Sequence, residues 1–406
     1  MTSPVTTSAA LHDVRYEIRG KLANLAHDME RRGYEIISLN IGNPGAFGFR
    51  TPENMRLAMI ENLQSSEGYC HQKGIFPARE AVVLQQQDRG VAGVTAEHVF
   101  IGNGVSELID MTLRGLLNAG DEVLVPSPDY PLWTAGVTLN QGQPVHYPCP
   151  PDNDHEPDLE ALQKLISDKT RAIVVINPNN PTGAVYTRAT LEAIVKLAEQ
   201  HNLVICSDEI YDEMLYDEVE FVPMATLVND GVCVTFSGLS KVYRACGYRV
   251  GWAIVSGNID HAEEYLQALE LLASLRLCSN VPAQWAVQTA LGGNQSILEL
   301  VRPGGRLYET RQVVIDSVAN SRFLRLVKPC GSMYAFVGVD TDVLPQFDDN
   351  DFALHLLEQK HVLVAPGVSF NVDYTNYFRI TLLPDAVMMT NVFQRIDDVL
   401  QTYADQ

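Results

Sequence analysis

The apolar residues between about positions 95 and 256 follow two alternating patterns. Short apolar runs recur as VFIG, EVLVP, AIVVIN, LVICSDE, VCVTF and VGWAIV. Several stretches between them have helical length and spacing, for example Leu191, Ile194, Val195 and Ala198. Strands that are buried on both faces and joined by helices are typical of parallel sheets. The pattern therefore predicts an α/β core with a mostly parallel sheet of six or seven strands.

The two ends of the chain predict a second, smaller unit. Apolar residues recur at helical spacing between Ile18 and Met29. Long helices are predicted from about 258 to 320, followed by the strand-like segments MYAFVGV, HVLVAP and YFRITLL and by a helix from Asp385 onward. We expect the N-terminal residues to join the C-terminal α+β part in space. The expected division is an N-terminal arm at 1–45, a large domain at 46–294 and a small domain at 295–406.

Composition narrows the possible functions. The 406 residues carry a formal net charge of −21, which disfavours nucleic-acid binding. The seven cysteines are scattered and none forms a C-x-x-C pair, as expected for reduced thiols in the cytoplasm. No signal-peptide pattern is present, and no stretch approaches the roughly 20 apolar residues of a membrane span. We expect a cytoplasmic protein without nucleic-acid, membrane or metal partners.

Polar or glycine-rich segments follow five consecutive predicted strands. They are NGVSE, SPDYPLW, PNNPTG, DEIY and SGLSK. Ligands of open α/β sheets bind beyond the carboxyl ends of the strands. Each segment alone is weak evidence, but together they predict a single site.

The first of these segments resembles a phosphate cradle. Gly104 lets the backbone approach a ligand closely, and the N–H groups of Val105 and Ser106 at a helix N-terminus favour an anion. An ordinary strand-to-helix turn is the competing interpretation. The third glycine of a dinucleotide fingerprint is missing, and no G-x-x-x-x-G-K-[ST] motif occurs, which disfavours NAD and nucleoside triphosphates.

Lys241 and Asp208 are the strongest individual candidates for residues with a chemical role. A lysine is usually a surface charge, and an aspartate at a strand end is often a helix cap. A lysine in a suitable environment also condenses with carbonyls. A lysine on an aldehyde together with a carboxylate on a pyridinium nitrogen is the pair that pyridoxal 5′-phosphate (PLP) requires.

The ordered motifs resemble those of the class I/II aminotransferases of fold-type I, from about residue 15 to the C-terminus. The motifs are LNIGNP, GYCHQKG, IGNGVSELI, VPSPDYPLW, INPNNPTGAVY, SDEIYDEMLY, FSGLSKVYRACGYRVGW and FRITLLP. The likeness is strongest to bacterial glutamate–pyruvate (alanine) aminotransferases. It implies a mostly parallel seven-stranded sheet between helices, with a smaller α+β domain.

The resemblance also implies roles around the PLP ring. Lys241 would hold PLP as a Schiff base and later move a proton, while Asp208 would pair with the pyridine nitrogen. Tyr211 and Asn180 would bond the phenolic oxygen, and Tyr130 would stack on the ring face. Tyr130 and Asn180 would also contact the substrate.

Phosphate and substrate contacts follow from the same resemblance. The phosphate would be bound by Gly104, Val105, Ser106, Ser237, Ser240 and Arg249. Tyr69 would reach the phosphate of a neighbouring subunit in a homodimer with shared sites, whereas on the simpler interpretation it is a packed loop aromatic. Arg379 would clamp the substrate α-carboxylate, with the backbone N–H of Gly42 nearby. Without the resemblance, Arg379 would be an ordinary strand-edge arginine.

The implied reaction is ping-pong transfer of an amino group between amino acids and 2-oxo acids. We expect L-alanine and 2-oxoglutarate to give pyruvate and L-glutamate. A helix that contains Tyr16 and Arg19 would close over the site, with Arg19 near the distal carboxylate of glutamate. A broad-range aromatic, valine or aspartate aminotransferase is the alternative. An NAD oxidoreductase would leave Lys241 without a use, and a transcriptional regulator would need a DNA-binding domain ahead of the matching region.

Overall fold

The computed structural model describes residues 5–14 and 20–405. Its α-helices, in chain order, are α1 Lys21–Arg31, α2 Glu53–Glu61, α3 Phe76–Asp88, α4 Val105–Leu116, α5 Leu132–Leu139, α6 Leu159–Leu165, α7 Arg188–Gln200, α8 Glu263–Leu275, α9 Val281–Gly292, α10 Leu298–Val301, α11 Arg306–Asn320, α12 Asp349–Lys360 and α13 Ala386–Ala404.

The strands are, in the same order, β1 Ile37–Ser38, β2 Val99–Gly102, β3 Glu122–Ser127, β4 Gln143–Pro148, β5 Thr170–Ile176, β6 Val204–Asp208, β7 Val232–Gly238, β8 Gly251–Gly257, β9 Leu324–Leu326, β10 Tyr334–Val339, β11 Val362–Leu363, β12 Ala365–Pro366 and β13 Tyr377–Thr381.

Seven strands form the main sheet in the order β2-β8-β7-β6-β5-β3-β4. Strands β3 to β7 pair in parallel, and β8 runs antiparallel to both of its neighbours. Successive residues of a strand point to opposite faces, so each face needs its own core. In β5, Ile173 and Val175 join one apolar cluster, while Val174 and Ile176 join the other. The α/β fold with a mostly parallel seven-stranded sheet is therefore confirmed.

A second sheet lies in the C-terminal part, in the order β12-β13-β10-β9, with antiparallel pairing throughout. Helix α13 packs against α11 and α12 beside it, and the Asp385 carboxylate accepts the Met388 N–H at 2.8 Å to cap α13. The N-terminal segment joins this part of the chain, because β1 pairs in parallel with β11.

The strand β4 was not among the six predicted runs. It lies at the edge of the main sheet and pairs only with β3. Its sequence QPVHYP contains two prolines, and within it only Tyr147 is fully buried. An edge strand with so few buried positions lacks the apolar run that marks a central strand.

Within 5–14 and 20–405, no helix combines the length and the apolar character needed to cross a bilayer.

Candidate active site

The carboxyl ends of the central strands carry the main polar groups of one cavity. Asp208 is the last residue of β6, and Lys241 follows the end of β7 by three residues. Asn180 follows the end of β5, and Tyr130 follows that of β3. Because parallel strands end at the same edge of a sheet, these four side chains meet there.

The Asp208 carboxylate is buried at the end of the sheet. The indole Nε1–H of Trp133 donates to Asp208 Oδ2 at 3.1 Å, and the Ile210 N–H approaches Oδ1 at 3.4 Å. Burial raises the pKa of Asp208 to about 6, although these two bonds and the charge of Lys241 act in the opposite direction. The site thus contains a carboxylate whose charge is poorly compensated and which a positively charged ligand group would stabilise.

The amine of Lys241 lies close to the N-terminal part of the chain. Lys241 Nζ donates to the backbone oxygen of Gly42 at 2.8 Å. Both residues line the same cavity. The amine is therefore presented to a ligand in the cavity, and the neighbouring backbone carbonyl orients it.

The N-terminus of α4 is built to receive an anion. Its N-cap residue Gly104 has φ +85° and no side chain, so no side-chain oxygen occupies the first N–H groups of the helix. A Cβ at position 104 would lie 2.3 Å from Nη2 of Arg249. The Arg249 guanidinium is held beside this helix end by donating to the backbone oxygens of Asn103 at 3.2 Å and Cys246 at 3.1 Å.

A second arginine, Arg379 in β13, also lines the cavity and is 1% exposed. Its Nη1 donates to Asn180 Oδ1 at 2.9 Å, and its Nη2 donates to the backbone oxygen of Asn40. The guanidinium lies over the rings of Tyr334 and Phe370, at 4.3 and 4.7 Å. The fork is thus oriented in advance for a planar anion such as a carboxylate.

These groups enclose a cavity of about 880 Å³. Most residues proposed from the sequence line it: Gly42, Val105, Ser106, Tyr130, Asn180, Asp208, Tyr211, Ser240, Lys241, Arg249 and Arg379. The cavity can accommodate a ligand with one anionic end at α4, a cationic ring nitrogen at Asp208, a carbonyl near Lys241 and a carboxylate at Arg379.

Other proposed residues do not line the cavity. Gly104 lies against Arg249, which does line it, and Ser237 is buried within β7. Tyr69 is 81% exposed on the surface of this single chain. Tyr16 and Arg19 lie outside the described residues, so their predicted contacts with the substrate stay predictions.

Two residues contribute to the site without having been assigned a role from the sequence. Trp133 donates to Asp208, and Tyr334 lines the cavity between Tyr211 and Arg379. Trp133 follows Tyr130 by three residues, at the start of α5, and this spacing after a strand end was an available signal. Tyr334 comes from the C-terminal sheet, far away in sequence, and only the folded chain brings it here.

Among the residues that the structure describes, no group of three or more His, Cys, Asp or Glu side chains is arranged to hold a metal ion.

Comparison with known proteins assigns the family. The family model for aminotransferase class I and II matches residues 34–396. The glutamate-pyruvate aminotransferase AlaA of Escherichia coli is 47% identical over 397 residues, which are 98% of this chain and 96% of that protein. An alanine aminotransferase of Mycobacterium tuberculosis is 45% identical and covers 98% of this chain and 92% of its own length.

Solved structures agree with this assignment. An aminotransferase from Escherichia coli superposes with a TM-score of 0.97 at 46% identity, and covers 99% of this chain and 100% of its own. Alanine aminotransferase from Pyrococcus furiosus gives a TM-score of 0.92 at 33% identity, with 98% and 100% covered. The resemblance stated from the motifs is therefore confirmed: this chain is an aminotransferase and belongs to the class I and II family of PLP-dependent enzymes.

Proposed function

We propose that this chain transfers the amino group of L-alanine to 2-oxoglutarate, with PLP bound through Lys241. The observation that carries the proposal is that an amine, a buried carboxylate and a buried arginine face one cavity, as Lys241, Asp208 and Arg379 do. The names of the relatives from Escherichia coli and Mycobacterium tuberculosis support the choice of alanine and glutamate.

Asp208 supports PLP as the cofactor. A buried carboxylate with a raised pKa is costly unless a cation pairs with it. A protonated pyridine nitrogen is such a cation, and Asp208 would hold the proton on that nitrogen. Trp133 would keep the carboxylate oriented through its bond to Oδ2. When bound, PLP supplies an electron sink for the charge that develops when the Cα proton of the amino acid leaves.

The remaining polar groups suit the other parts of PLP. The N-terminus of α4, Ser106, Ser240 and Arg249 would bind the phosphate, whose charge suits a helix N-terminus and a guanidinium fork. Position 104 tolerates no side chain beside Arg249, which is consistent with a backbone that must approach a ligand closely. Ser237 would support this end from within β7.

The phenolic oxygen of PLP would be bound by Tyr211 and Asn180. The amide oxygen of Asn180 accepts from Arg379, so its amide nitrogen remains the donor toward the cavity. The pKa of Tyr211 is raised well above its ordinary value. Burial is the largest cause, and the neighbouring Tyr334 hydroxyl is the next. Tyr211 therefore keeps its proton at neutral pH and can donate it, while Tyr130 would cover the ring face.

Lys241 and Arg379 would carry out the reaction and hold the substrate. The Lys241 amine would take the proton from the substrate Cα as a general base and give it up again as a general acid. Arg379 would bind the α-carboxylate, so the Cα proton is held near that amine. The Gly42 backbone lies next to both groups through its contact with Lys241.

We further propose that Arg19, with Tyr16, recognises the distal carboxylate of glutamate and 2-oxoglutarate. Both residues lie in the segment whose sequence resembles the bacterial alanine aminotransferases. A guanidinium is well suited to a second carboxylate.

We propose a homodimer as the active unit. Leu271 and Leu275 lie one turn apart on α8 and are 62% and 74% exposed, and Tyr69 lies on the neighbouring segment. That segment is tied to α8 because Gln72 Nε2 donates to Glu270 Oε1 at 2.9 Å. An apolar surface beside an exposed tyrosine is typical of a subunit interface. A second copy of the chain would cover it and bring Tyr69 to the partner's phosphate site.

We also propose a cytoplasmic location and a division into two domains. The cysteines are free thiols, which suits the reducing cytoplasm. The division into a large domain at 46–294 and a small domain formed by 295–406 with the N-terminal arm is supported by the separate C-terminal sheet and by the pairing of β1 with β11.

The covalent link to Lys241 is tested by the visible spectrum. Wild-type protein incubated with PLP is expected to be yellow, to change its spectrum when L-alanine is added, and to carry a borohydride-fixed label on Lys241. Lys241→Ala should lose the chromophore, while Lys196→Ala, which removes an exposed lysine of α7, should retain it. A colourless wild type, or a label on another lysine, would contradict the proposal.

Asp208→Asn is expected to stabilise the cofactor-free protein while abolishing transamination. A carboxylate whose folded pKa is raised from 3.8 to about 6 contributes stability below the unfolded pKa and loses it as pH rises through the folded pKa. Removing the charge should therefore increase the free energy of unfolding above about pH 6 by up to about 3 kcal/mol.

Urea unfolding of both cofactor-free proteins below and above this pH measures the effect. Asp342→Asn, which changes an exposed aspartate, is the control and should show no such difference. An Asp208→Asn variant that is no more stable than wild type at high pH would refute the electrostatic argument.

Arg19→Ala tests recognition of the distal carboxylate. The variant should lose about 10- to 100-fold in kcat/KM with 2-oxoglutarate, because a charged hydrogen bond is lost, and much less with a 2-oxo acid that lacks a distal carboxylate. Arg31→Ala, on the exposed face of α1, is the control. An equal loss with both acceptors would rule out a carboxylate-specific role.

A full matrix of amino acids against 2-oxo acids separates a preference for alanine from a preference for aromatic amino acids, valine or aspartate.

Leu275→Glu tests the proposed interface. A charge on the exposed face of α8 should shift the protein from dimer toward monomer and weaken PLP retention, because Tyr69 would no longer reach its partner. Val387→Glu introduces the same charge at another exposed apolar position and should leave the dimer intact. Analytical ultracentrifugation gives the answer. A monomeric wild type that retains PLP would exclude shared sites.

A further inference from the structure

Tyr334 is held in the centre of the site by the C-terminal sheet. In the ladder between β10 and β13, Tyr334 pairs with Thr381 and Phe336 pairs with Arg379. Alternate residues of a strand share a face, so Tyr334 and Arg379 are diagonal neighbours on one face. The Arg379 guanidinium lies 4.3 Å from the centre of the Tyr334 ring. The ring position is therefore set by backbone pairing and by packing on the arginine.

The hydroxyl of Tyr334 points to the reacting side of the cavity. It lies 3.3 Å from the hydroxyl of Tyr211, whose ring meets the Tyr334 ring edge-on at a centroid distance of 5.7 Å. A Cβ at position 42 would lie 2.2 Å from this hydroxyl, so the absence of a side chain at Gly42 makes room for it. The Gly42 oxygen accepts from Lys241 Nζ. One hydroxyl thus lies between Tyr211 and the backbone that orients Lys241.

The surroundings of Tyr334 and Tyr211 shift the pKa values of the two phenols in opposite directions. Burial acts to raise the pKa of Tyr334, and the Cys246 thiol acts in the same direction. The positive charges of Lys241 and Arg379 and the bond from Tyr211 outweigh both, so its pKa lies below the ordinary value. The pKa of Tyr211 is raised. Of the two phenols, Tyr334 is therefore the more acidic, and the charges of Lys241 and Arg379, which do not depend on the direction of its bond to Tyr211, favour it as a donor.

We propose that Tyr334 is a positioning residue that donates to the Tyr211 oxygen and strengthens the bond from Tyr211 to the phenolic oxygen of PLP. The inference rests on the proposed function. In the structure the Tyr211 hydroxyl donates to the Tyr334 oxygen at 3.3 Å, and a phenol can both donate and accept, so this bond can reverse its direction. Once the Tyr211 proton is directed to PLP, the Tyr211 oxygen can accept from Tyr334. Consecutive hydrogen bonds of this kind polarise and strengthen one another.

The pH midpoint of the visible absorption change of the lysine-bound cofactor reports the strength of the Tyr211 bond. Tyr334→Phe keeps the ring on Arg379 and removes only the hydroxyl. It should raise the midpoint by about half a pH unit to one pH unit, since the deprotonated form loses part of its stabilisation. The KM for amino acids should change by less than about 2-fold, because the Arg379 clamp is intact. Tyr377→Phe, which removes a tyrosine hydroxyl from the neighbouring strand β13, is the matched control and should leave the midpoint unchanged.

A double variant separates a direct from an indirect effect. In a Tyr211→Phe background, Tyr334→Phe should produce no additional shift, because the bond that it strengthens is already absent. An unchanged midpoint in Tyr334→Phe, or an equal shift in the Tyr211→Phe background, overturns the proposal.

A separate readout uses the cofactor-free protein. Its ultraviolet tyrosinate titration should contain one phenol that ionises below the ordinary range and disappears in Tyr334→Phe; a titration without this phenol overturns the proposal. A wild type without any lysine-bound chromophore would instead reject the proposed function, so the two failures are distinguishable.

Discussion

Placing the Asp208 carboxylate at the buried end of β6 is the constraint around which the site is organised. Burial makes the charged form unfavourable, and the bonds from Trp133 and Ile210 together with the charge of Lys241 compensate only part of that cost. The position cannot relax, because Asp208 is paired in the ladder with Ile176 on one side and Phe236 on the other. A rigid carboxylate whose charge is only partly stabilised lowers the stability of the fold, but it can bind a protonated ring nitrogen well.

The rest of the site is assembled across two parts of the chain. Asn180 and Tyr211 belong to loops of the main sheet, while Arg379 and Tyr334 belong to the C-terminal sheet. The bonds from Arg379 to Asn180 and from Tyr211 to Tyr334 join these parts directly. These bonds thereby fix the positions of the groups that would bind the cofactor relative to those that would bind the substrate. Such mutual orientation is the main contribution that a protein makes to a reaction whose electronic work is done by a cofactor.

The central strands were predictable because they are buried on both faces. Segments such as AIVVIN have no polar face, and so they stand out from the helical spacing around them. The edge strand β4 has a partly exposed, proline-containing sequence and could not be distinguished from a loop. The very short strands β1 and β11 are defined by their pairing with each other. Each has two residues, too few to show an alternation of apolar and polar positions in the sequence.

By itself, the sequence determined the α/β class, the location of a site at successive strand ends, and the family, because buried strands and ordered motifs are local features of the chain. Only the tertiary structure decided that Trp133 binds Asp208 and that Tyr334 lies between Tyr211 and Arg379. These contacts join residues 75 and 123 positions apart. They depend on strand order and register, which follow from the packing of the whole chain rather than from any local pattern.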